Sequence, residues 1–373
     1  MSISIKKTKM RDLWEKDVYW VEAKTKEEIR QRLRISITDG CNFNCFFCHN
    51  EGQGRVSNST GYMSVQEITK IIEIAVKSGI KHVKVTGGEP LLYRKNRDNI
   101  VTLIQAINAL RDSNFDFSLS LVTNGYLLSK YAKSLKQAGL DRVTISLTTL
   151  NPVLFNEYIS KGSSTAITKI LDGIATAVNV GLKPIKVNTV VFYDKKKNKG
   201  NLEEISTIIK KCKELRVDEL RLYTLLWHKN FEDFENYYCY WDDERVLFNL
   251  LECKNLQNGN KIKKAVLKSL QEFSKNWASL VYPQPRMVIN CDGLPIAFEP
   301  MKHKRFAFSR CGDEGPYAIR ISSRGEIQPC LLNEEPIQFL QLLRNGASDA
   351  TLISYFEKGF SLMEQIKKGN RHE

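Results

Sequence analysis

Between residues 31 and 226 the sequence alternates short β-rich runs with amphipathic stretches of helical period, and few architectures satisfy such an alternation. The first strand candidate is Leu33-Arg34-Ile35-Ser36-Ile37, followed by a long polar loop. A helix is expected over 64–78, with Ser64 as N-cap, Glu67 three residues on and Gly79 just past its end. A strand over 81–86 runs into Gly87-Gly88-Glu89-Pro90. The pattern repeats as helix 98–111, strand 117–123, helix 129–138, strand 142–148, helix 165–180, strand 185–192, helix 201–214 and strand 218–226. Alternation of this kind implies a parallel sheet with right-handed crossovers. Six β/α units suit a partial barrel better than a closed one of eight. The expected fold is therefore α/β, a partial (β/α)6 TIM-like barrel with a C-terminal appendage, its chemistry at the C-terminal strand ends. The expected division is 1–30 as an N-terminal extension, 31–226 as the barrel and 227–373 as the C-terminal region. In that last region 227–280 is aromatic, then Lys-rich and helical in character. A hairpin is expected across Ser323-Arg324-Gly325, and a helical segment over 336–366.

No apolar run is long enough to span a bilayer, and the N-terminus, MSISIKKTKMRDLWEKD, lacks the apolar region of a secretory signal. The expected location is the cytoplasm, with no membrane partner. The net charge, 56 − 42 = +14, suits an anionic partner such as a polyphosphate nucleotide or a nucleic acid, or equally a solvated Lys-rich surface. The densest basic run, Lys195-Lys196-Lys197-Asn198-Lys199, has no interleaved aromatic residues, which argues against nucleic acid.

Three of the nine cysteines fall together as Cys41-x3-Cys45-x2-Cys48, in the loop after the first strand. In a reducing compartment such a group points to metal rather than to disulfides. Thiolates are the soft ligands that iron–sulfur clusters take, and three ligands on a cubane of four irons leave one iron open. Zinc is the competing reading, but structural zinc wants four closed ligands, and His49 directly follows Cys48. Cys212, Cys239 and Cys253 are expected to be structural, and His82 and His228 lack ligand-like neighbours.

The Gly87-Gly88 pair lets backbone approach a ligand closely, and the Glu89 carboxylate could accept hydrogen bonds from a cationic amino group. Taken alone, the same residues would make an ordinary tight turn.

The segments LRISITDGCNFNCFFC, KVTGGEPLLYR, the TNG at 123–125, VTISLTTLNPVLFNEYIS, GLKPIKVNTVV and LRLYTLL together resemble the radical S-adenosylmethionine superfamily, and within it the GTP 3′,8-cyclase family of molybdenum cofactor biosynthesis. A weaker match continues through AIRISSRGEIQPCL at 318–331. The resemblance implies a [4Fe–4S] cluster on Cys41, Cys45 and Cys48 with S-adenosylmethionine on the open iron. It implies reductive cleavage of the sulfonium to a 5′-deoxyadenosyl radical, which abstracts hydrogen from the substrate. A small reductant such as flavodoxin or ferredoxin would supply the electron. Phe47, Gly87, Gly88, Glu89, Ser146 and Leu226 fall at cofactor positions, Leu226 where the family typically carries Met. Arg34, Lys84, Thr123 and Lys186 fall at substrate positions, with Arg221 and Arg320 as further candidates. Arg34 and Lys186 each sit inside a strand pattern flanked by apolar residues. Arg34, Lys84 and Lys186 are expected at strand ends that converge at one opening, where their mutual repulsion favours an anionic occupant.

The chain departs from the family beyond the barrel. Cys330 matches the third ligand of a second cluster, but the first two positions are Asp313 and Pro316, with Cys311 nearby and Cys291 as a possible third. One of two paired arginines is Ala318. The tail ends Lys367-Lys368-Gly369-Asn370-Arg371-His372-Glu373 instead of in paired glycines. The leading reading is a radical S-adenosylmethionine enzyme acting on a phosphorylated, nucleotide-like substrate. The alternatives are a tailoring enzyme for a peptide or natural product, and a non-catalytic iron–sulfur or zinc protein that binds nucleic acid.

Overall fold

The computed structural model describes residues 18–21, 26–49, 63–113, 115–162, 165–223, 225, 236–238, 286–291, 293–299, 318–329 and 336–369. Their principal strands are β1 (Val18–Val21), β2 (Arg32–Ser36), β3 (His82–Thr86), β4 (Ser118–Thr123), β5 (Arg142–Ser146), β6 (Lys186–Val190), β7 (Glu219–Tyr223), β8 (Arg286–Cys291), β9 (Leu294–Glu299), β10 (Ile319–Ile321) and β11 (Ile327–Gln328). These form one 11-stranded sheet in the order β1-β8-β9-β7-β6-β5-β4-β3-β2-β10-β11. From β2 to β7 every neighbouring pair is parallel and in chain order, as the β/α alternation requires. The expected hairpin is the antiparallel pair β10–β11.

The C-terminal region extends the barrel sheet at both edges. β9 pairs parallel with β7, and β10 pairs parallel with β2. β1 and β8 close the β9 edge with antiparallel pairing. The sequence boundary at 226 therefore does not separate two structural layers.

Five helices follow the barrel strands: α1 (Val65–Lys77), α2 (Ile100–Asp112), α3 (Leu128–Gln137), α4 (Ala166–Asn179) and α5 (Ile205–Glu214). Ser64 and Glu67 form the reciprocal capping box that the sequence predicted for α1. One face of the sheet meets these helices through Leu33, Ile35, Val83, Val85, Leu119, Leu121, Val143, Ile145, Val187 and Leu220, all essentially buried. The alternate residues therefore line the opposite face, and many of them are polar or charged. Two further helices, α6 (Phe339–Arg344) and α7 (Asp349–Gly369), close the β10 edge. Gly359 lets α7 lie directly on that edge. A Cβ there would sit 2.8 Å from Ile319 Cδ1 and 2.9 Å from Ile327 Cγ2. No helix among the described residues is long and apolar enough to cross a membrane.

Candidate functional site

The loop carrying the three cysteines is fastened along both of its sides. On one side it is zipped to the glycine turn after β3. Ile37 N donates to Thr86 O at 3.0 Å, Gly88 N to Thr38 O at 2.7 Å and Glu89 N to Gly40 O at 2.7 Å. The approach is too close for any side chain. A Cβ on Gly87 would lie 2.5 Å from Thr38 O, and one on Gly88 would lie 2.2 Å from Gly40 O. On the other side Asn44 N donates to Ile159 O and Phe46 N to Tyr158 O, the carbonyls of a widened helical turn over Phe155–Ile159. Phe43 packs edge-on against Tyr126 and Phe155, and Phe46 stacks on Tyr237 at 4.5 Å.

Cys41 is exposed, and Cys45 and Cys48 are partly so. The Cys41 sulfur accepts from Phe43 N at 3.4 Å and from Asn124 Nδ2 at 3.8 Å. Although Cys41 is open to solvent, the protein around its sulfur removes enough water to push the thiol up to about 12. A bound cation inverts that preference and deprotonates a coordinating thiol. Among the described residues no three His, Cys, Asp or Glu side chains are grouped to hold a metal ion.

Glu89 is fully buried, and its carboxylate serves the chain itself. Oε1 accepts from Leu91 N at 3.0 Å and from the Thr123 hydroxyl at 2.7 Å, and Oε2 accepts from Asn124 N at 2.7 Å. Within the chain Glu89 ties the glycine turn to the end of β4. The Thr123 hydroxyl is committed in the same way, since it also accepts from Gly125 N at 3.1 Å. Burial pushes the Glu89 carboxyl up to about 7, against the three donors that lower it. The folded state thus holds this proton more tightly than the ordinary value of 4.5. The stability linked to it is present below about 4.5 and is lost as pH rises toward about 7. A Glu89→Gln variant must turn its NH2 against a buried N–H whichever way the amide lies. We expect a loss of about 1–3 kcal/mol, read as a lower urea midpoint at unchanged slope, with that part of the pH dependence gone.

Phe47 is half-buried against Phe46, with ring centroids 5.1 Å apart. Ser146, at the end of β5, lies opposite Asn188 of β6. Asn188 Oδ1 is buried without a hydrogen-bond partner, as are both carboxylate oxygens of Asp39 at the start of the cysteine loop. Neither residue was singled out in the sequence. The signals were an Asn between Val187 and Thr189 on the strand that begins at Lys186, and an Asp two residues before the first cysteine. Leu226, Cys311 and Cys330 lie outside the described residues, and Cys291 is buried on β8 beside Leu294.

The structure sorts the expected cations into two groups. Arg320, Arg34 and Lys84 lie side by side in register across β10, β2 and β3. Lys186 and Arg221 lie on β6 and β7, where both pair with Glu219, each at 2.5 Å. Burial raises Glu219, but Arg221 and Lys186 outweigh it and hold the carboxyl down at about 2. Two expectations are corrected here. Arg34 and Lys84 are mid-strand and Lys186 begins its strand, so none of the three sits at a C-terminal strand end. The repulsion expected at Lys186 is offset by a carboxylate of the same sheet, which also pairs with Arg221. His82 meets Ser118 Oγ at 2.8 Å, beside Arg142.

Residues 35–199 match the radical SAM superfamily. The chain is 31% identical over 343 residues to a probable GTP 3′,8-cyclase of Sulfurisphaera tokodaii, covering 91% of this chain and 93% of that protein. It is 35% identical over 316 residues to a probable GTP 3′,8-cyclase of Methanococcus aeolicus, covering 84% and 90%. Among solved structures, anSMEcpe with bound AdoMet aligns with a TM-score of 0.54 at 14% identity, covering 90% of this chain and 83% of that one. Streptococcus suis SuiB bound to S-adenosylmethionine aligns with a TM-score of 0.51 at 18% identity, covering 87% and 68%.

Proposed function

Because the chain belongs to the radical S-adenosylmethionine superfamily, in its GTP 3′,8-cyclase-like branch, we propose that it abstracts a hydrogen atom from a phosphorylated, nucleotide-like substrate held on the polar face of its sheet. The superfamily brings a [4Fe–4S] cluster and S-adenosylmethionine, which supply reductive radical chemistry when bound. The residues present suit both groups by their chemistry, since the thiolates of a cubane each bind a different iron and need not meet on one ion. Cys41, Cys45 and Cys48 would hold the cluster, on a loop whose two fastened sides limit its movement. Phe47, the backbone of Gly87 and Gly88, and Ser146 would line the S-adenosylmethionine site, with Leu226 beyond the described residues. Asn188 Oδ1 is a buried acceptor with no partner of its own, as a site awaiting hydroxyl or N–H donors should have. Asp39 offers buried negative charge next to the loop, which suits a cationic ligand.

The observation that carries the substrate reading is the row Arg320–Arg34–Lys84. Three cations at one level on adjacent strands favour a phosphate chain across them, through charge-assisted hydrogen bonds. Arg221 and Lys186, paired with Glu219, are better suited to fixing the shape of the far wall. Thr123 acts through Glu89. A Lys84→Ala variant should bind nucleoside triphosphates roughly tenfold to a hundredfold more weakly and S-adenosylmethionine as before, both measured by calorimetry. Equal triphosphate binding by the variant and the unmodified protein, or none by either, rejects the nucleotide. A peptide tailoring role would then lead, favoured by Asp313, Pro316 and Ala318 standing where the cyclases carry cluster and arginine residues. An acidic carrier such as flavodoxin or ferredoxin would deliver the electron. A second cluster would draw on Cys291, Cys311 and Cys330.

A further inference from the structure

We propose that Asn124 is a positioning residue for the reducing centre, its side-chain amide setting the electron affinity of a cluster bound at Cys41. The inference rests on the assignment of Cys41 as a ligand. Asn124 follows β4 directly, and each of its polar groups that the argument uses has a defined partner. The backbone N–H donates to Glu89 Oε2 at 2.7 Å. The side-chain Oδ1 accepts from Tyr126 N at 3.0 Å. That bond fixes which way the amide lies, because an oxygen is needed opposite an N–H. Nδ2 is therefore the atom turned to the cysteine loop, where it donates to Asn42 Oδ1 at 2.8 Å and to Cys41 Sγ at 3.8 Å. Among the described residues Phe43 N also donates to that sulfur, at 3.4 Å.

A donor aimed at a cluster thiolate stabilises the more negative, reduced state more than the oxidised one, and so raises the reduction potential. Glu89 makes the contact reproducible. Buried between the glycine turn and the end of β4, it holds the Asn124 backbone while Gly88 and Glu89 hold the cysteine loop. The competing role for Asn124 is structural only, as the residue whose Oδ1 closes the turn onto Tyr126.

Asn124→Asp separates the two roles. It keeps the shape and the acceptor for Tyr126 N, removes the donor from Cys41 and from Asn42 Oδ1, and adds a negative charge beside the sulfur. Each protein would be reconstituted anaerobically with iron and sulfide and titrated with dithionite and mediator dyes, without substrate. At the potential that half-reduces the unmodified protein, the ratio of reduced to oxidised cluster should fall about tenfold in the variant. That corresponds to a midpoint lower by about 59 mV for one electron. Iron per chain should stay as it was, with the thermal midpoint lowered by the loss of the bond to Asn42. Asn124→Ala, which loses donor and acceptor together, should also show a fall in potential with a lower thermal midpoint. Asn124→Ala adds no charge and so isolates the hydrogen bond; an unchanged potential in that variant at full iron content would overturn the inference and leave Asn124 a turn residue. Failure of the unmodified protein to take up iron would instead overturn the ligand assignment beneath it.

Discussion

A Gly88→Ala variant should lose on the order of 100-fold or more of its S-adenosylmethionine turnover, from a single added methyl. The new Cβ would lie 2.2 Å from Gly40 O, 2.6 Å from Asp39 O and 2.6 Å from Gly40 C. All three are backbone atoms, so no side chain can swing aside. The cysteine loop would have to retreat, and displacing a reacting group by roughly 1 Å costs on the order of 100-fold. The same retreat loosens the bonds from Gly88 N to Thr38 O and from Glu89 N to Gly40 O. Stability should fall by about 1–3 kcal/mol, the usual cost of overpacking. Gly79→Ala is the matching control. Its Cβ meets nothing within 4 Å, and its φ of +98° makes the substitution a strain on folding alone. Turnover per folded molecule should be normal in that control and nearly absent in Gly88→Ala.

Replacing Cys41, Cys45 and Cys48 together by Ala should abolish formation of 5′-deoxyadenosine, with no residual rate above the buffer blank. The loop's backbone anchors do not involve the thiols as donors, so the variant should fold with a nearly unchanged urea midpoint. Iron analysis of this variant also bears on the second cluster. About four residual irons per chain would place a further [4Fe–4S] centre in the C-terminal region, and none would remove it. Turnover undiminished by the triple substitution would end the assignment of the loop.

Much of the barrel was legible because each of its elements is long enough to show a period. Helix α1 was readable from Ser64, Glu67 and Gly79, and β2 to β7 from apolar alternation beside turn residues. The sheet's edges were not. β10 has only three residues, and whether such a strand forms an appendage or extends a barrel is decided by partners far along the chain. The positions of the charged site residues were legible, but their partners were not. Arg34, Lys84 and Lys186 were placed on strands correctly, whereas Glu219, the first residue of β7, gave no sign that it would neutralise Lys186 across β6. The bonds from Glu89 to Thr123 and Asn124 were not legible, because burial cannot be seen in a Gly-Gly-Glu-Pro turn. Asn124 was passed over beside Thr123 because its sulfur partner lies 83 residues earlier.

The account is tested most directly by one product measurement on unmodified protein, reconstituted with iron and sulfide and reduced with dithionite. Incubated with S-adenosylmethionine and a nucleoside triphosphate, it should release 5′-deoxyadenosine and methionine in equal amounts, with 5′-deoxyadenosine rising when the nucleotide is added. A protein that carries four irons per chain yet yields no 5′-deoxyadenosine under these conditions would contradict it.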